Sequence, residues 1–251
     1  MKLSIVIPAH NEEECIKETI INLHRVINSA SIEHEILVVN DNSTDGTEKI
    51  LSSLQKEIPS VRYINNLPPN GFGFAVRKGL DNFVGDAVAI YMADASDRPE
   101  DVVRFFQAMQ TKGVDCVFGS RFCRGAKTYD YPWLKLILNR LANSFIQILF
   151  GLPYNDITNA FKLYRCHVVQ GLQPILSHHF NLTVELPLKS IVRGYSYIVL
   201  PNDWINRKAG VSKLKIKEMG SRYLFIVLYC FVEKWLSQKD YHCRTNKGQK
   251  E

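Results

Sequence analysis

The sequence predicts an α/β fold in which a mostly parallel central sheet carries helices on both faces. Over the first 120 of the 251 residues, short β-rich runs alternate with segments of helical periodicity. The β-rich runs are apolar at consecutive positions, which is typical of strands that are covered on both sides. Polar residues follow these runs, and in such sheets ligands bind beyond the carboxyl ends of the strands. These observations predict a ligand site along one edge of the sheet.

The elements of this first half follow one another in a regular order. We predict strands at 3–8, 35–40, 61–65, 86–92 and 114–120. Between them, apolar residues recur at helical spacing and predict helices at 12–28, 45–57, 73–84 and 99–111. Because crossover helices join parallel strands, this alternation indicates a parallel sheet.

The pattern changes after residue 121. The following elements are an amphipathic helix at 133–150, a loop and an edge strand within 151–165, a helix at 181–193, a strand at 195–200, a basic stretch at 206–218 and an apolar run at 221–236. We therefore divide the chain into a main domain (1–215), an apolar and basic C-terminal helix (216–237) and a polar, disordered tail (238–251).

Composition and charge narrow the class of protein. With 46% hydrophobic and 22% charged residues, the chain has the composition of a globular protein rather than of a disordered one. The net charge of +6 comes from residues 201–251, which hold 11 basic and 5 acidic residues, whereas residues 1–200 hold 20 of each. This excess indicates an anionic partner, either phosphate groups or an acidic membrane surface. Nucleic acid is not expected, because no nucleic-acid-binding motif accompanies the charge.

Cysteine usage and hydropathy indicate a cytoplasmic protein. The six cysteines form no C-x-x-C pair and no zinc-site spacing, which favours a reducing compartment. The N-terminal MKLSIVIPAHNEEE runs directly into a strand and an acidic turn, unlike a signal peptide. No run of about 18 consecutive apolar residues occurs, so no transmembrane helix is expected.

Two polar motifs follow the first two strands. The segment 8–12 ends the first strand and the segment 40–47 ends the second. Each motif taken alone is interpreted as a helix-capping turn, since capping is commoner than catalysis. Together they place one carboxylate after each strand, Glu12 after the first and Asp41 after the second. Such acceptors suit the N–H and hydroxyl groups of a base and its ribose.

The motifs also resemble those of a known family. PAHNEE (8–13), NDNSTDGT (40–47), an acidic motif after the fourth strand and GSRF (119–122) look like the inverting family 2 glycosyltransferases of GT-A fold. Within that family, the chain most resembles the dolichol-phosphate mannosyltransferase-like, or polyprenyl-phosphate sugar transferase, branch. The resemblance implies transfer of a hexose from a nucleotide-diphosphate sugar, GDP-mannose or a UDP-hexose, to a polyprenyl (dolichyl or undecaprenyl) phosphate.

The resemblance also implicates particular residues in binding the nucleotide-sugar donor. They are Pro8, Asn11, Glu12, Asp41, Gly73, Arg207 and Lys213. Gly73 would let the backbone approach the donor, and Arg77 or Lys78 would lie near its phosphates, although surface exposure also explains these two. The segment from Arg207 to Lys213 reads R-x-x-G-x-S-K, similar to a loop that folds over the donor phosphates, and a charged linker is its alternative.

The acidic motif reads MADASD and departs from the family pattern. Metal-dependent sugar transferases hold Mg²⁺ or Mn²⁺ with oxygen ligands, and the cation neutralises charge that develops on the leaving nucleoside diphosphate. The family usually supplies D-x-D, but when the motif is aligned on Pro99, Ala93 and Ala95 occupy the two positions. A shift of one residue makes Asp94 a metal or diphosphate ligand, with Asp97 as the second acid of a D-x-x-D. Alternatively, Asp97 is the N-cap of the next helix.

On the acceptor side, the resemblance implicates Arg121, Arg140, Thr158 and Lys162. The matching arginines grip the acceptor phosphate in the related branch, so Arg121 and Arg140 join the two aspartates as expected catalytic residues. A guanidinium fork suits a phosphate, whereas ordinary surface arginines are the alternative. Thr158 would supply the hydroxyl that is lost where Asn-Ala replaces Ser-Gly. Lys162 is either a phosphate contact or a solvated strand residue.

A phosphate acceptor is favoured because the residues beyond the donor motifs are largely basic. Transfer to a sugar hydroxyl needs a general base, whereas a phosphate oxygen is already anionic and needs only positioning. A glycosyltransferase that acts on a sugar hydroxyl of a cell-surface glycan or glycolipid and a non-catalytic nucleotide-sugar-binding protein are the alternatives. The run 221–236 fits an interfacial helix on the cytosolic face of a membrane, or equally a helix packed on the body or on a second copy.

Overall fold

The computed structural model describes residues 1–206 and 216–243, and the side chains of its last helix from Gly220 on. In chain order, the strands are β1 (Leu3–Ala9), β2 (His34–Asn40), β3 (Val61–Asn65), β4 (Ala87–Ile90), β5 (Cys116–Ser120), β6 (Thr128–Tyr129), β7 (Lys162–Arg165), β8 (Tyr197–Pro201) and β9 (Trp204–Ile205). The helices are α1 (Ile16–Ser29), α2 (Thr47–Glu57), α3 (Phe72–Leu80), α4 (Pro99–Lys112), α5 (Trp133–Phe150), α6 (Cys166–Gly171), α7 (Leu182–Val192) and α8 (Ile216–Leu236). The predicted alternation of strands and helices is confirmed.

A seven-stranded, mostly parallel sheet forms the centre of the protein, in the order β3-β2-β1-β4-β7-β5-β8. β1 pairs in parallel with both β2 and β4, and β5 pairs in parallel with β8. The ends of these strands therefore meet at one edge, as the sequence predicts. A second, two-stranded sheet joins β6 to β9.

The prediction that β7 is an edge strand is wrong. It lies between β4 and β5 and is antiparallel to both. Leu163 packs into the core on one face of the sheet and Tyr164 into the core on the other. The sequence of β7, KLYR, has a charged residue at each end. In the fold, however, Lys162 is buried and its ammonium donates to backbone carbonyls.

Two hydrophobic cores cover the two faces of the sheet. The alternation of side chains along β1 sends Ile5 and Ile7 into the core beneath α1, α2 and α4. Val6, between them, enters the core beneath α3, α5, α7 and α8. Burial on both faces explains why the strands read as continuous apolar runs.

The C-terminal helix α8 packs on the second core. A buried ion pair joins Arg193, at the end of α7, to Glu233 of α8, with Nε and Oε1 2.7 Å apart. Within the predicted tail, the backbone N–H of Cys243 donates to Arg193 O at 2.8 Å. Across 1–206 and 216–243, no helix is both long enough and apolar enough to cross a membrane.

Candidate active site

A cavity of about 1200 Å³ opens where β1, β2, β4 and β5 end. The predicted site residues that line it are Pro8, Glu12, Asp41, Asp94, Asp97, Arg121 and Thr158. Four other predicted residues lie elsewhere: Asn11, Gly73, Arg140 and Lys162. Arg207 and Lys213 lie outside the described residues. The parallel topology thus brings together motifs that are up to 150 residues apart in the chain.

At one end of the cavity, Asp41 organises the turn that follows β3. Its Oδ1 accepts hydrogen bonds from Asn66 Nδ2 at 2.7 Å and from Asn70 Nδ2 at 3.0 Å. Its Oδ2 accepts from the backbone N–H of Gly71 at 2.8 Å. A carboxylate offers about four lone-pair sites, so one acceptor site on Oδ2 is left for a ligand.

Only some residues of the first motif (8–12) line the cavity, and others hold neighbouring segments in place. Glu12 lines the cavity, and its backbone N–H donates to Thr47 Oγ1 at 2.9 Å. Asn11 is exposed and does not line the cavity, in contrast to the prediction. It adopts a positive φ of 52°, which asparagine tolerates, and its Oδ1 accepts from the N–H of Thr44 at 2.8 Å. Asn11 therefore ties the first motif to the second.

The glycine that faces the cavity is Gly71 rather than Gly73. Gly71 has a φ of 142°, a conformation that L side chains rarely adopt. A Cβ on Gly73 would lie 2.4 Å from the carbonyl carbon of His178. Gly73 therefore permits close packing of α3 against the segment before α7 and, in contrast to the prediction, does not line the cavity.

Asp94 and Asp97 bring two carboxylates to the same part of the cavity. Asp97 is buried, and its Oδ1 accepts from Asn202 Nδ2 at 3.4 Å. Burial, reinforced by the negative charge of Asp94, raises the pKa of Asp97 to about 8. The capping alternative for Asp97 is wrong, because α4 begins at Pro99, its N-cap residue is Arg98 and no side chain caps it.

These two carboxylates fit a divalent cation that also binds substrate phosphates. Among the residues that the structure describes, no three His, Cys, Asp or Glu side chains form a group that could hold a metal alone. Mg²⁺ typically binds through one or two carboxylates and completes its shell with substrate phosphates and waters. A cation beside Asp97 would offset the burial and the repulsion from Asp94 that raise its pKa.

Arg121 forms a buried, bidentate ion pair with Asp156. Nε lies 2.8 Å from Oδ2 and Nη2 lies 2.7 Å from Oδ1, while the backbone N–H of Arg121 donates to Oδ2 at 2.9 Å. Only Nη1 faces away from this carboxylate, 3.5 Å from Tyr131 Oη. The guanidinium fork that was predicted to grip the acceptor is thus occupied by Asp156. Arg121 shapes the cavity wall and offers one nitrogen to a ligand.

Thr158 lines the cavity and is held by two asparagines of α5. Its Oγ1 accepts from Asn139 Nδ2 at 2.8 Å and from Asn143 Nδ2 at 2.9 Å. The backbone N–H of Thr158 donates to Asn143 Oδ1 at 3.2 Å. Because both lone pairs of the hydroxyl are used, its hydrogen is left to donate to a ligand in the cavity.

Arg140 does not line the cavity, although it lies on α5, the helix that carries Asn139 and Asn143. Its Nη1 donates to Asn155 O at 3.1 Å, and its guanidinium carbon lies 4.8 Å from the centre of the Phe122 ring. It therefore supports the loop after β5 instead of contacting the cavity contents.

Both interpretations of Lys162 are wrong, since it is neither a cavity residue nor solvated. Its side chain is fully buried, and its Nζ donates to the backbone carbonyls of Ile157 at 3.0 Å, Thr183 at 3.1 Å and Asn159. These bonds use all three ammonium hydrogens. Burial lowers the pKa of Lys162 to about 7. Lys162 anchors the loop that carries Thr158.

Two cationic residues of the cavity were missed in the sequence. Lys135 of α5 lines it, with Nζ 5.3 Å from the centre of the Trp204 ring. Arg222 of α8 also lines it and forms no ion pair with any described residue. A signal for Lys135 exists, because it shares a helical face with Asn139 and Ala142, which also line the cavity.

Comparison with known proteins identifies the family. The protein-family model described as Glycosyl transferase family 2 matches residues 4–172, which is more than half of the chain. The chain belongs to glycosyl transferase family 2. This confirms the resemblance seen in the sequence, and the protein is a glycosyltransferase.

Two curated proteins are similar to this chain over most of their length. The chain is 31% identical over 216 residues to the polyprenol monophosphomannose synthase of Mycolicibacterium smegmatis, covering 84% of this chain and 80% of that protein. It is 28% identical over 242 residues to the undecaprenyl-phosphate mannosyltransferase of Micrococcus luteus, covering 94% and 96%.

Solved structures of glycosyltransferases share the fold. Glucosyl-3-phosphoglycerate synthase from Mycobacterium tuberculosis, in complex with Mn²⁺, UDP and phosphoglyceric acid, superposes with a TM-score of 0.68. The identity is 17%, over 93% of this chain and 78% of that one. The complex of the same enzyme with Mg²⁺ and UDP gives a TM-score of 0.67 at 16% identity, covering 93% and 79%. The predicted GT-A fold is confirmed.

Proposed function

We propose that this glycosyltransferase moves a hexose, with inversion, from a nucleotide-diphosphate sugar to a polyprenyl phosphate. The two curated relatives are named for polyprenyl or undecaprenyl carriers and for mannose, which supports a lipid phosphate as acceptor and mannose as the sugar. The donor is GDP-mannose or a UDP-hexose. The metal-bound neighbours support Mg²⁺ or Mn²⁺ as the cofactor.

The observation that carries this proposal is the distribution of charge along the cavity. Its described acidic residues, Glu12, Asp41, Asp94 and Asp97, all belong to the exits of β1, β2 and β4. From β5 onward, the described charged residues that line it are Arg121, Lys135 and Arg222. No carboxylate among the described residues lines the cavity on this side, where the imidazole of His179 is the one candidate base. A sugar hydroxyl would depend on that imidazole for deprotonation, whereas an anionic phosphate needs no base, only the donors and cations that are present.

At the donor end, Glu12 and Asp41 offer acceptors to the base and ribose. Asp94 and Asp97 would hold a divalent cation against the diphosphate, and the cation would neutralise the charge of the leaving nucleoside diphosphate. Asp97, whose pKa of about 8 keeps its carboxyl mostly protonated at pH 7, would lose this proton on becoming a ligand of such a cation.

At the acceptor end, Thr158, Lys135 and Arg222 position the phosphate. One phosphate oxygen attacks the anomeric carbon from the face opposite the diphosphate, so that a new C–O bond forms as the old one breaks. No proton has to be removed from the nucleophile, and alignment is the main contribution of the protein. The Thr158 hydroxyl, whose hydrogen is directed by Asn139 and Asn143, donates to another oxygen of the same phosphate.

The lipid acceptor implies that the enzyme works at the cytosolic face of a membrane. It favours the interfacial interpretation of the run 221–236 over packing on the body or on a second copy. The main domain (1–215) would carry the chemistry and the C-terminal helix (216–237) the membrane contact. The tail (238–251) has no assigned part in either.

The decisive experiment is a donor and acceptor panel. The purified full chain is incubated with GDP-mannose, UDP-glucose or UDP-galactose and a polyprenyl phosphate, with Mg²⁺, Mn²⁺ or EDTA. We expect release of one nucleoside diphosphate and one glycosyl phospholipid, and none with EDTA. Transfer to free sugars but not to the lipid phosphate would establish the sugar-hydroxyl alternative. Donor binding without turnover would establish the non-catalytic one.

A further inference from the structure

The helix α5 exposes an apolar stripe although it lies against the body of the protein. Its fully buried residues are only Asn143, Ile146 and Phe150. On the other side, large apolar side chains are exposed, among them Trp133, Ile137, Leu141, Phe145 and Ile148. Ile148 retains 83% of its maximal exposure and Trp133 retains 72%. Their spacing of three or four residues puts them on one side of the helix.

The helix α8 carries a matching stripe. Phe225, Leu228, Val232 and Trp235 are exposed at the same helical spacing. The two helices touch where Lys234 Nζ donates to Phe150 O at 2.8 Å. We call the nine exposed apolar residues of these two stripes the α5–α8 face. Exposed apolar surface of this extent is unusual for a protein without a partner.

The mouth of the active-site cavity opens on this face. Leu138 and Phe145 of α5 and Leu224 of α8 line the cavity and are also between 40% and 48% exposed. The acceptor end of the cavity therefore reaches the surface between apolar side chains. An apolar rim does not stabilise a water-soluble acceptor. It does stabilise the tail of a lipid, which can leave the cavity there without exposing its apolar surface to water.

The charges beside the face are positive. The helix α5 contains Lys135 and Arg140 and no acidic residue. From Gly220 on, α8 exposes Arg222 and Lys234, while its Glu233 is buried against Arg193. A second copy of this chain would bring like charges together across the face and cover the mouth of the cavity. An anionic lipid surface is complementary to both the apolar stripes and the cations.

We propose that the α5–α8 face is the membrane-docking surface of the enzyme, and that it binds a bilayer of anionic lipids. The indole rings of Trp133 and Trp235 and the other stripe residues enter the interface, and the positive charge beside the face attracts the anionic headgroups. The mouth of the cavity is thereby held at the bilayer, so that a lipid acceptor presents its phosphate without leaving the membrane. The identity of that acceptor rests on the proposed function; the docking surface is testable without it.

Vesicle binding of the full chain tests the docking surface directly. Large unilamellar vesicles of phosphatidylcholine with 30% phosphatidylglycerol are compared with pure phosphatidylcholine, in about 50 mM and 500 mM NaCl. We expect binding to the anionic vesicles, weakened by salt. The variant Leu141→Gln/Ile148→Gln should bind about tenfold more weakly per lost side chain. Ile21→Gln/Val84→Gln, which removes exposed aliphatic side chains outside the face, is the matched control and should bind like the native protein.

Tryptophan fluorescence supplies a second measurement. Two of the three tryptophans, Trp133 and Trp235, lie in the face, whereas Trp204 is buried. Brominated lipids should therefore quench the native protein strongly and Trp133→Phe/Trp235→Phe weakly.

Three results would overturn the inference. They are equal vesicle binding by the face variant and the native chain, no binding of the native chain, and a stable dimer in light scattering that Leu141→Gln/Ile148→Gln dissociates. Transfer to polyprenyl phosphate in detergent together with absent vesicle binding would refute the docking surface alone. Vesicle binding through the face without any transfer would refute the proposed function alone.

Discussion

Replacing Asp97 with asparagine should stabilise the metal-free protein and strongly reduce its activity. The native structure buries this carboxyl near Asp94, which raises the pKa of Asp97 from 3.8 to about 8. Asparagine has nearly the same shape, carries no charge and keeps an oxygen that can accept from Asn202. The substitution therefore removes the free-energy cost of either charging or protonating this buried carboxyl, and it leaves no cavity.

The magnitude follows from linkage between protonation and folding. The pKa of Asp97 is higher in the native state than in the unfolded chain. The contribution of this group to the free energy of unfolding is therefore fully present below pH 3.8 and is lost as the pH rises towards 8. At pH 7 the difference spans roughly three pH units, and at about 1.4 kcal/mol per unit this sets an upper limit of about 4 kcal/mol. Relaxation of the native site reduces the penalty, so we expect a gain of about 1–4 kcal/mol in the free energy of unfolding at pH 7.

Urea unfolding in EDTA at pH 5 and pH 8 measures this gain for Asp97→Asn. The advantage of the variant over the native protein should grow from pH 5 to pH 8, while the exposed control Asp81→Asn should show no such growth. With Mg²⁺ and a nucleoside diphosphate, the native protein should gain stability and Asp97→Asn should not. Sugar transfer should fall by about 10²–10³-fold. A variant that is no more stable than the native protein at pH 8 would refute the reasoning.

The remaining predictions concern the acceptor side. Lys162→Met should lower the unfolding free energy by about 3 kcal/mol or more, because it strands three backbone carbonyls, and calorimetry should show a Tm lower by about 6–12 °C; an unchanged Tm would contradict the buried anchor. Thr158→Val should reduce kcat/KM for polyprenyl phosphate by about 10–100-fold at unchanged donor KM, with Thr158→Ser restoring it; equal loss in both variants would exclude the hydroxyl. Asp156→Asn should destabilise by about 3–5 kcal/mol in thermal unfolding, since it leaves Arg121 buried without its counter-charge, and Arg121→Met/Asp156→Asn should recover part of the loss. No recovery in the double variant would mean that the pair is not energetically coupled.

Local patterns were enough to predict the framework and one end of the site. The strands β1, β2 and β4 can be recognised in the sequence because burial on both faces requires apolar residues at nearly every position. The parallel topology then requires that Glu12, Asp41 and Asp94 share an edge, and the structure brings them into one cavity. The family motifs lie in the same segments, so resemblance and periodicity lead to the same donor end.

The choice between two roles for Asp97 required the tertiary structure. Its spacing from Pro99 fits a helix cap as well as a ligand. The fold excludes the cap, because α4 begins one residue later than a cap at Asp97 would require, and Asp97 lines the cavity instead. Asn11 and Gly73 show the same limit, since both sit in the right motif and yet serve to connect segments rather than to line the site.

The sequence by itself therefore determined the alternation of strands and helices in the first half, the parallel part of the sheet, the family and the acidic exits of the strands. All of these depend on residues close together in the chain, whereas the central, antiparallel place of β7 does not. Only the tertiary structure decided what the basic residues do. Whether Arg121 meets a substrate or Asp156, 35 residues away, and whether Lys162 meets phosphate or carbonyls depends on packing between distant segments. Burial makes an unpaired charge so unfavourable that each of these cations takes the nearest acceptor that the fold supplies.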